Sequence, residues 1–200
     1  MLKVGLTGGL ASGKSFVGQA LAHCGCLLIQ ADDLGHEVLA PEGEAFEAVV
    51  KEFGSEIVVD GRIDRRRLAA RVFSDPEALA RLTALVHPPV IAREEKLMAE
   101  FAARQPEGIA VVEGAVLIEN GSYKRFDRLI VVACRVEQQI ARAMHRDGIT
   151  EPEVRARLSR QKPLEEKRKL ADFVIDTSGT KQDTLRQACA VYEELRRINI

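Results

Sequence analysis

The sequence predicts an α/β fold in which a five-stranded parallel sheet is flanked by helices. Five short apolar runs support this prediction, because strands that are buried on both faces are continuously apolar and rich in branched residues. Helical patterns separate the runs, and such alternation is typical of a parallel sheet covered on both sides. The five runs are Leu2–Leu6, Cys26–Ile29, Ile109–Val112, Leu129–Val132 and Phe173–Ile175.

A glycine-rich loop follows the first strand and precedes a helix predicted from about Lys14 to His23. Residues Gly8–Ser15 read GGLASGKS and fit the pattern G-x-x-x-x-G-K-[ST] at every position. Glycine tolerates the positive dihedral angles that turn several backbone N–H groups toward one anion, and the helix N-terminus adds its dipole. The pattern predicts a P-loop NTPase-type fold, with Lys14 on the β- and γ-phosphates and the Ser15 hydroxyl on Mg²⁺. The expected nucleotide contacts in this region are Gly8, Gly9, Leu10, Ala11, Ser12, Gly13, Lys14, Ser15 and Phe16.

The section between the second and third strands, about residues 33–107, is predicted to be almost entirely helical. An apolar stripe over Phe46–Phe53 ends at Gly54, and Asp75-Pro76 begins another helix with Asp75 as its N-cap. The triplet His87-Pro88-Pro89 is expected to interrupt the helical pattern. One crossover rarely needs this much chain. We therefore interpret the section as a helical insertion that holds a second ligand.

The remaining residues complete a single predicted domain. Residues 136–170 are helical and dense in arginine and lysine, and they are interpreted as a lid. The core would then comprise about 1–32, 108–135 and 171–200, with a packing helix over 184–198. No internal repeat or low-complexity tract interrupts this arrangement.

Composition narrows the class of protein. The 200 residues include 30% charged and 46% hydrophobic residues with a net charge of -1, which argues against binding to nucleic acid or a membrane surface. No apolar run approaches the roughly 20 residues that span a bilayer. The four cysteines, Cys24, Cys26, Cys134 and Cys189, are interpreted as buried reduced thiols rather than a disulfide or zinc framework. These features predict a cytoplasmic protein. A monomer or a weak homo-oligomer is expected.

A predicted triphosphate site does not by itself identify the group that accepts the phosphoryl. Asp32–Gly35 spells the DxxG element of a GTPase, but no NKxD motif occurs, and Glu113 is the one candidate for the Walker B acid of an ATPase. A small-molecule kinase needs a carboxylate near the acceptor and mobile cations around the transferred group. Asp32, just past the second strand, is the candidate carboxylate. Arg142 and Arg146 lie on one helix face and supply guanidiniums that bind phosphate oxygens.

Six segments in order resemble the dephospho-coenzyme A kinase family over nearly the full length. A phosphate loop alone would indicate only a large superfamily, whereas six segments in the same order are specific to one family. Asp32 corresponds to the second acid of the family's Asp-Ala-Asp element, the proposed catalytic carboxylate. The resembling segments are Leu6–Ser15, Ala31-Asp32, Val86–Pro88, Val116–Asn120, Arg142–Asp147 and Gln161–Asp176.

The resemblance implies that ATP, with Mg²⁺, phosphorylates the 3′-hydroxyl of dephospho-coenzyme A to give coenzyme A and ADP. It implies that Lys14, Asp32 and Arg142 are catalytic and that Arg142 and Arg146 contact the nucleotide. The implied acceptor contacts are Thr7, Asp32, His87 and Leu117. Three positions depart from the family pattern, with Gln30 for the first acid, Ala115 for a proline and Thr177 for an asparagine near the adenine.

Two other functions stay open at this point. The first is a P-loop kinase of a nucleoside or nucleotide, against which only the segments beyond the phosphate loop argue. The second is a nucleotide-binding switch with a protein partner, against which the missing NKxD motif and the helical insertion argue.

Overall fold

Five parallel strands form the sheet that the sequence predicts, in the order β2-β5-β1-β6-β7. The computed structural model describes residues 1–72 and 75–199. The five strands of the sheet are β1 Leu2–Gly8, β2 Leu27–Gln30, β5 Ile109–Glu113, β6 Arg128–Ala133 and β7 Phe173–Asp176. Two further strands, β3 Val58–Val59 and β4 Arg62–Ile63, form a separate antiparallel pair. The predicted fold class is confirmed.

Helices precede and follow the strands along the chain. None of those in the described part of the chain combines the length and apolar character needed to cross a bilayer. Their bounds are α1 Lys14–His23, α2 Ala31–Val38, α3 Phe46–Phe53, α4 Arg65–Val72, α5 Pro76–Arg104, α6 Val136–Asp147, α7 Glu151–Leu158, α8 Leu164–Arg168 and α9 Lys181–Ile198.

The strand register brings two polar residues, Gln30 and Glu113, together at the carboxyl ends of their strands. Leu6 pairs with Glu113, and Gln30 pairs with the same residue from the other side. Because all five strands are parallel, their carboxyl ends share this edge, where open α/β folds bind ligands. Below it, buried side chains of β1, β5 and β6 pack against α1 and α9 and form the main core.

The chain divides into two compact units. The first comprises Met1–Gln30 and Met98–Ile200, and the second comprises Ala31–Leu97. The predicted lid, residues 136–170, is part of the first unit. Residues 98–107, which the sequence suggested for the insertion, also fall in the first unit.

In the second unit, Arg93 of α5 connects three elements. Its Nε and Nη2 donate to the Glu44 carboxylate at 3.0 and 2.8 Å, and its Nη1 donates to Glu37 Oε2 at 2.6 Å. The Arg93 guanidinium lowers the pKa of the Glu44 carboxyl below its ordinary value. The charged fork therefore fastens α2 and the segment before α3 to α5.

Helix α5 differs from the prediction at its centre. Asp75 does cap the helix, because its Oδ1 accepts hydrogen bonds from two backbone N–H groups of the first turn at 2.9 and 3.0 Å. The predicted break at Pro88 and Pro89 is wrong, since α5 continues through both prolines for 29 residues. Each proline removes one backbone hydrogen bond but has a helical φ. Ala78 before the two prolines and Val90 after them are both buried.

A short hairpin in the second unit was not expected. Strands β3 and β4 are joined by Asp60 and Gly61, whose φ angles are 49° and 73°. Two successive positive φ angles are typical of a type I′ turn, which Asp-Gly favours. The Asp-Gly pair between Val59 and Arg62 was the sequence signal for this hairpin, which is an exception within a section that the sequence predicts to be almost entirely helical.

The cysteines are not uniformly buried as expected. Cys26 and Cys134 are buried, whereas Cys24 is half-buried and Cys189 is exposed. The sulfur atoms of Cys24 and Cys189 lie 3.7 Å apart. Burial raises the pKa of the Cys26 thiol to about 12, so this group stays protonated at neutral pH.

Candidate functional site

The phosphate loop, residues Gly8–Ser15, has backbone geometry suited to holding an anion. Gly13 lies in the left-handed region at φ 89° and ψ 20°, where an L side chain is strained, and it directly precedes α1. Gly13, the N-cap of α1, has no side chain to cap the helix, and the first turn carries no acidic residue. The N–H groups and the helix dipole therefore favour a negative ligand at this point.

The loop is closed by hydrogen bonds to a single carbonyl. The backbone N–H of Ser12 donates to Gly9 O at 3.2 Å, and Lys14 Nζ donates to the same oxygen at 3.2 Å. Gly8 must be a glycine because a Cβ would lie 2.5 Å from the backbone oxygen of Val132 in β6. The absence of a side chain at Gly8 therefore allows the start of the loop to lie close to β6.

The hydroxyl of Ser15 and the carboxylate of Glu113 form a hydrogen-bonded pair beside the loop. Ser15 Oγ donates to Glu113 Oε1 at 2.7 Å, and the Glu113 side chain is buried at the end of β5. Its other oxygen, Oε2, has no hydrogen-bond partner among residues 1–72 and 75–199. No group of three or more acidic, histidine or cysteine side chains in these ranges is arranged to hold a metal by itself. Mg²⁺, which keeps water and phosphate ligands, suits a hydroxyl and one carboxylate.

Arg142 of α6 contacts the residue that follows β7. Its Nη1 donates to Thr177 Oγ1 at 3.1 Å and its Nη2 to the Thr177 carbonyl at 2.8 Å. The Thr177 hydroxyl in turn donates to the backbone oxygen of Ser12 at 2.6 Å. The guanidinium is therefore connected to the phosphate loop through Thr177.

Arg146 has a different partner from Arg142. Its Nε and Nη2 donate to the two carboxylate oxygens of Asp147 at 2.7 and 3.1 Å, and Arg157 also reaches this carboxylate at 3.2 Å. The Arg146 hydrogen bonds lower the pKa of Asp147 and raise the pKa of Arg146 itself. Since the Arg146 side chain is 60% exposed, solvent screens this pair.

Two glutamines from outside the motif also contact the phosphate loop. Gln161 Oε1 accepts a hydrogen bond from the backbone N–H of Leu10 at 2.9 Å. Gln139 of α6 lies over Gly9, where a Cβ would come within 2.2 Å of its Nε2. Neither contact was predicted from the sequence, because no local pattern connects positions so far apart in the chain.

The other candidate residues of the first unit lie in varied surroundings. Thr7 in β1 is buried, and its hydroxyl has no hydrogen-bond partner among the described residues. Leu117 is buried in the turn after β5, with its carbonyl accepting from Tyr123 N at 2.9 Å. Phe16 is half-buried in α1, with the Lys181 ammonium 5.9 Å from its ring centre.

The acceptor candidates Asp32 and His87 belong to the second unit. Asp32 and its neighbour Asp33 are exposed in the first turn of α2, which begins directly after β2. Asp32 is the second residue of this helix. His87 is half-buried inside α5, so it does not terminate a helix. Their roles stay predictions.

Known relatives match nearly the whole chain. A family model described as dephospho-CoA kinase matches residues 2–183. A dephospho-CoA kinase of Thermobifida fusca is 43% identical over 199 residues, which cover 98% of each chain. A dephospho-CoA kinase structure from Campylobacter jejuni has a TM-score of 0.72 at 27% identity, covering 99% of this chain and 98% of its own. A Thermus thermophilus protein has a TM-score of 0.82 at 37% identity, with 97% of each chain covered. The likeness therefore extends far beyond the phosphate loop.

Proposed function

The chain belongs to the dephospho-CoA kinase family, and from this premise we propose that Lys14, Ser15 and Asp32 carry out its phosphoryl transfer. The family reaction passes the γ-phosphoryl group of ATP to the 3′-hydroxyl of dephospho-coenzyme A and completes coenzyme A biosynthesis. The observation that carries the proposal is the phosphate loop, in which a left-handed Gly13 precedes an uncapped helix beside the Lys14 ammonium.

The phosphate loop supplies binding and charge neutralisation. Backbone N–H groups at the start of α1 and the Lys14 ammonium meet the β- and γ-phosphates, where negative charge is concentrated. Phosphoryl transfer requires little covalent chemistry from the protein, so alignment and electrostatic stabilisation supply most of the rate. Arg142 and Arg146 are proposed to add positive charge at the transferred group.

Mg²⁺ is proposed to bind at Ser15 and Glu113. The Ser15 hydroxyl is an oxygen ligand of the kind that this ion prefers, and Glu113 Oε2, which has no hydrogen-bond partner among the described residues, is available to a metal-bound water. When bound, the ion would offset the negative charge of the phosphates. Ser15 is the proposed direct ligand, and Glu113 orients the Ser15 hydroxyl or a metal-bound water.

Asp32 is proposed to receive the proton of the acceptor hydroxyl. General-base assistance of this kind typically contributes about 10²–10⁴-fold to the rate. Gln30 cannot share this role because an amide carries no basic oxygen, so the carboxylate chemistry falls on Asp32. Thr7, His87 and Leu117 are proposed as further acceptor contacts. A cytoplasmic monomer or weak homo-oligomer that acts without nucleic acid is also proposed.

The reaction is tested by measuring which acceptor supports ADP release. Purified enzyme with Mg-ATP receives dephospho-coenzyme A, AMP, adenosine or no acceptor. ADP release is expected only with dephospho-coenzyme A, and the product should gain one phosphate that a 3′-nucleotidase removes. Release with AMP or adenosine would favour the nucleoside or nucleotide kinase. Release that needs no acceptor would make water the acceptor and refute the kinase.

Changes at Ser15 and Glu113 are expected to alter the Mg²⁺ requirement. Ser15→Ala removes the proposed ligand, and Glu113→Gln removes the charge behind it. Each should raise the half-saturating Mg²⁺ concentration about tenfold or more, in line with losses at metal-supporting residues. Steady-state rates are measured across a Mg²⁺ titration at saturating ATP.

A matched control for this titration is Ser159→Ala. Ser159 is exposed, and its hydroxyl donates to the carbonyl of Ala156 at the end of its own helix. Its Mg²⁺ titration should match that of the wild type. If Ser15→Ala also left the Mg²⁺ requirement unchanged, the proposed metal position would be wrong.

A further inference from the structure

A buried lysine outside the phosphate loop has no role in the chemistry described above. Lys167 in α8 is 1% exposed, and its Nζ lies 2.7 Å from Glu119 Oε1. Beyond this ion pair, Lys167 Nζ and Glu119 Oε2 have no hydrogen-bond partner among the described residues. Removing an ammonium from water is costly, and the opposite charge of Glu119 offsets that cost. Lys167 and Glu119 therefore depend on each other as partners at this buried position.

Glu119 also binds the backbone five residues before Lys167, at Lys162. The same oxygen, Oε1, accepts a hydrogen bond from the backbone N–H of Lys162 at 3.1 Å. Leu164, between these two contacts, packs against the buried Ile118 and Leu129. Residues 162–167 are therefore fixed by one carboxylate and by apolar packing.

The residue before this segment makes the contact to the phosphate loop. Gln161 Oε1 accepts the Leu10 N–H at 2.9 Å, and Gln161 directly precedes the anchored Lys162. The position of the glutamine side chain thus depends on the Glu119 carboxylate, which depends on the Lys167 charge. Lys167 itself is too deeply buried to touch a bound nucleotide.

We propose that Glu119, Lys167 and Gln161 form a positioning assembly that holds the phosphate loop in its nucleotide-binding conformation. This inference rests on the proposed nucleotide site but not on the identity of the acceptor. The Leu10 N–H lies in the loop itself, so its hydrogen bond restrains the backbone that must present N–H groups to the phosphates. Groups that support a site from behind commonly determine how tightly it is held.

The first test is direct ATP binding by Gln161→Met. Methionine keeps the length of the side chain but removes the acceptor for Leu10 N–H. The dissociation constant of ATP is expected to rise about fivefold to tenfold, as the loss of one hydrogen bond predicts. KM for ATP should rise with it, whereas KM for the acceptor should not change. Unchanged ATP affinity would overturn the proposal.

The second test separates positioning from stability. The double variant E119M/K167M replaces the ion pair by apolar side chains, a change that buried ion pairs often tolerate without loss of stability. It also removes the acceptor for Lys162 N–H. We expect a melting temperature close to that of the wild type together with weakened ATP binding. Normal ATP binding in this folded variant would show that the pair serves stability alone and would refute the assembly.

Coupling and a matched control complete the experiment. Adding Gln161→Met to E119M/K167M should weaken ATP binding no further, because both changes break the same connection. Additive losses would refute that connection. The control is Arg168→Met, which alters the residue next to Lys167. The Arg168 side chain is 40% exposed, and its Nε forms a loose ion pair with Glu165 Oε1 at 3.8 Å. This variant should bind ATP normally. Because ATP binding is read without an acceptor, failure of the acceptor assay would leave these outcomes interpretable.

Discussion

Lys14→Ala is expected to lower kcat/KM by about 10²–10³-fold while the protein remains folded. The ammonium is the one side-chain cation within the phosphate loop, and its charge matters most when negative charge moves onto the β,γ-bridging oxygen during transfer. Losing one preorganised group that stabilises a transition state typically costs this much. Steady-state kinetics with Mg-ATP measure the loss, and thermal unfolding shows whether the fold survives.

The comparison for this variant is Lys124→Ala, which removes an exposed lysine from the first unit. It should retain wild-type kinetics. Lys14→Arg should recover little activity, because a planar guanidinium cannot occupy the place of a compact ammonium beside Gly9 O. Near-normal turnover by Lys14→Ala would contradict the assignment of this lysine to the phosphates.

The sheet could be predicted because its strands are encoded locally. Buried parallel strands must be continuously apolar, and every one of the five runs became a strand. The errors arose where local signals compete with packing. Pro88 and Pro89 carry a strong helix-breaking signal, yet α5 continues through them because both of its halves bury side chains. The Asp60-Gly61 turn carried a clear signal that the surrounding helical patterns obscured.

The phosphate loop could be predicted for the same reason, since it is a contiguous motif. The contacts that support it could not. Leu10 and Gln161 are 151 residues apart, and the Lys167–Glu119 pair joins α8 to the turn after β5. Only the folded chain brings these positions together. A lysine in a stretch rich in charged residues looks solvent-exposed in the sequence, whereas in the folded chain Lys167 is buried and paired with Glu119.

Asp32→Asn is expected to lower kcat by about 10²–10⁴-fold and to leave ATP binding unchanged. Asparagine keeps the size of the side chain but cannot accept the proton of the acceptor hydroxyl. Because Gln30 stands where the family usually has the first acid of this element, the element in this chain has no carboxylate besides Asp32 to take over. The loss should therefore appear in kcat, measured at saturating ATP and dephospho-coenzyme A.

Asp33→Asn is the matched control for this variant, since Asp33 is equally exposed and lies in the same helical turn. Removing its charge should change kcat only slightly if the acceptor proton goes to Asp32. A second variant, Gln30→Asp, restores the acid that the family pattern contains. Combined with Asp32→Asn, it should recover part of the lost rate if a carboxylate near the end of β2 is what the reaction needs. Full activity in Asp32→Asn would show that Asp32 is not the base. An equal loss in Asp33→Asn would also contradict the assignment, because a specific base is sensitive to one substitution whereas a general effect of surface charge is the same for both.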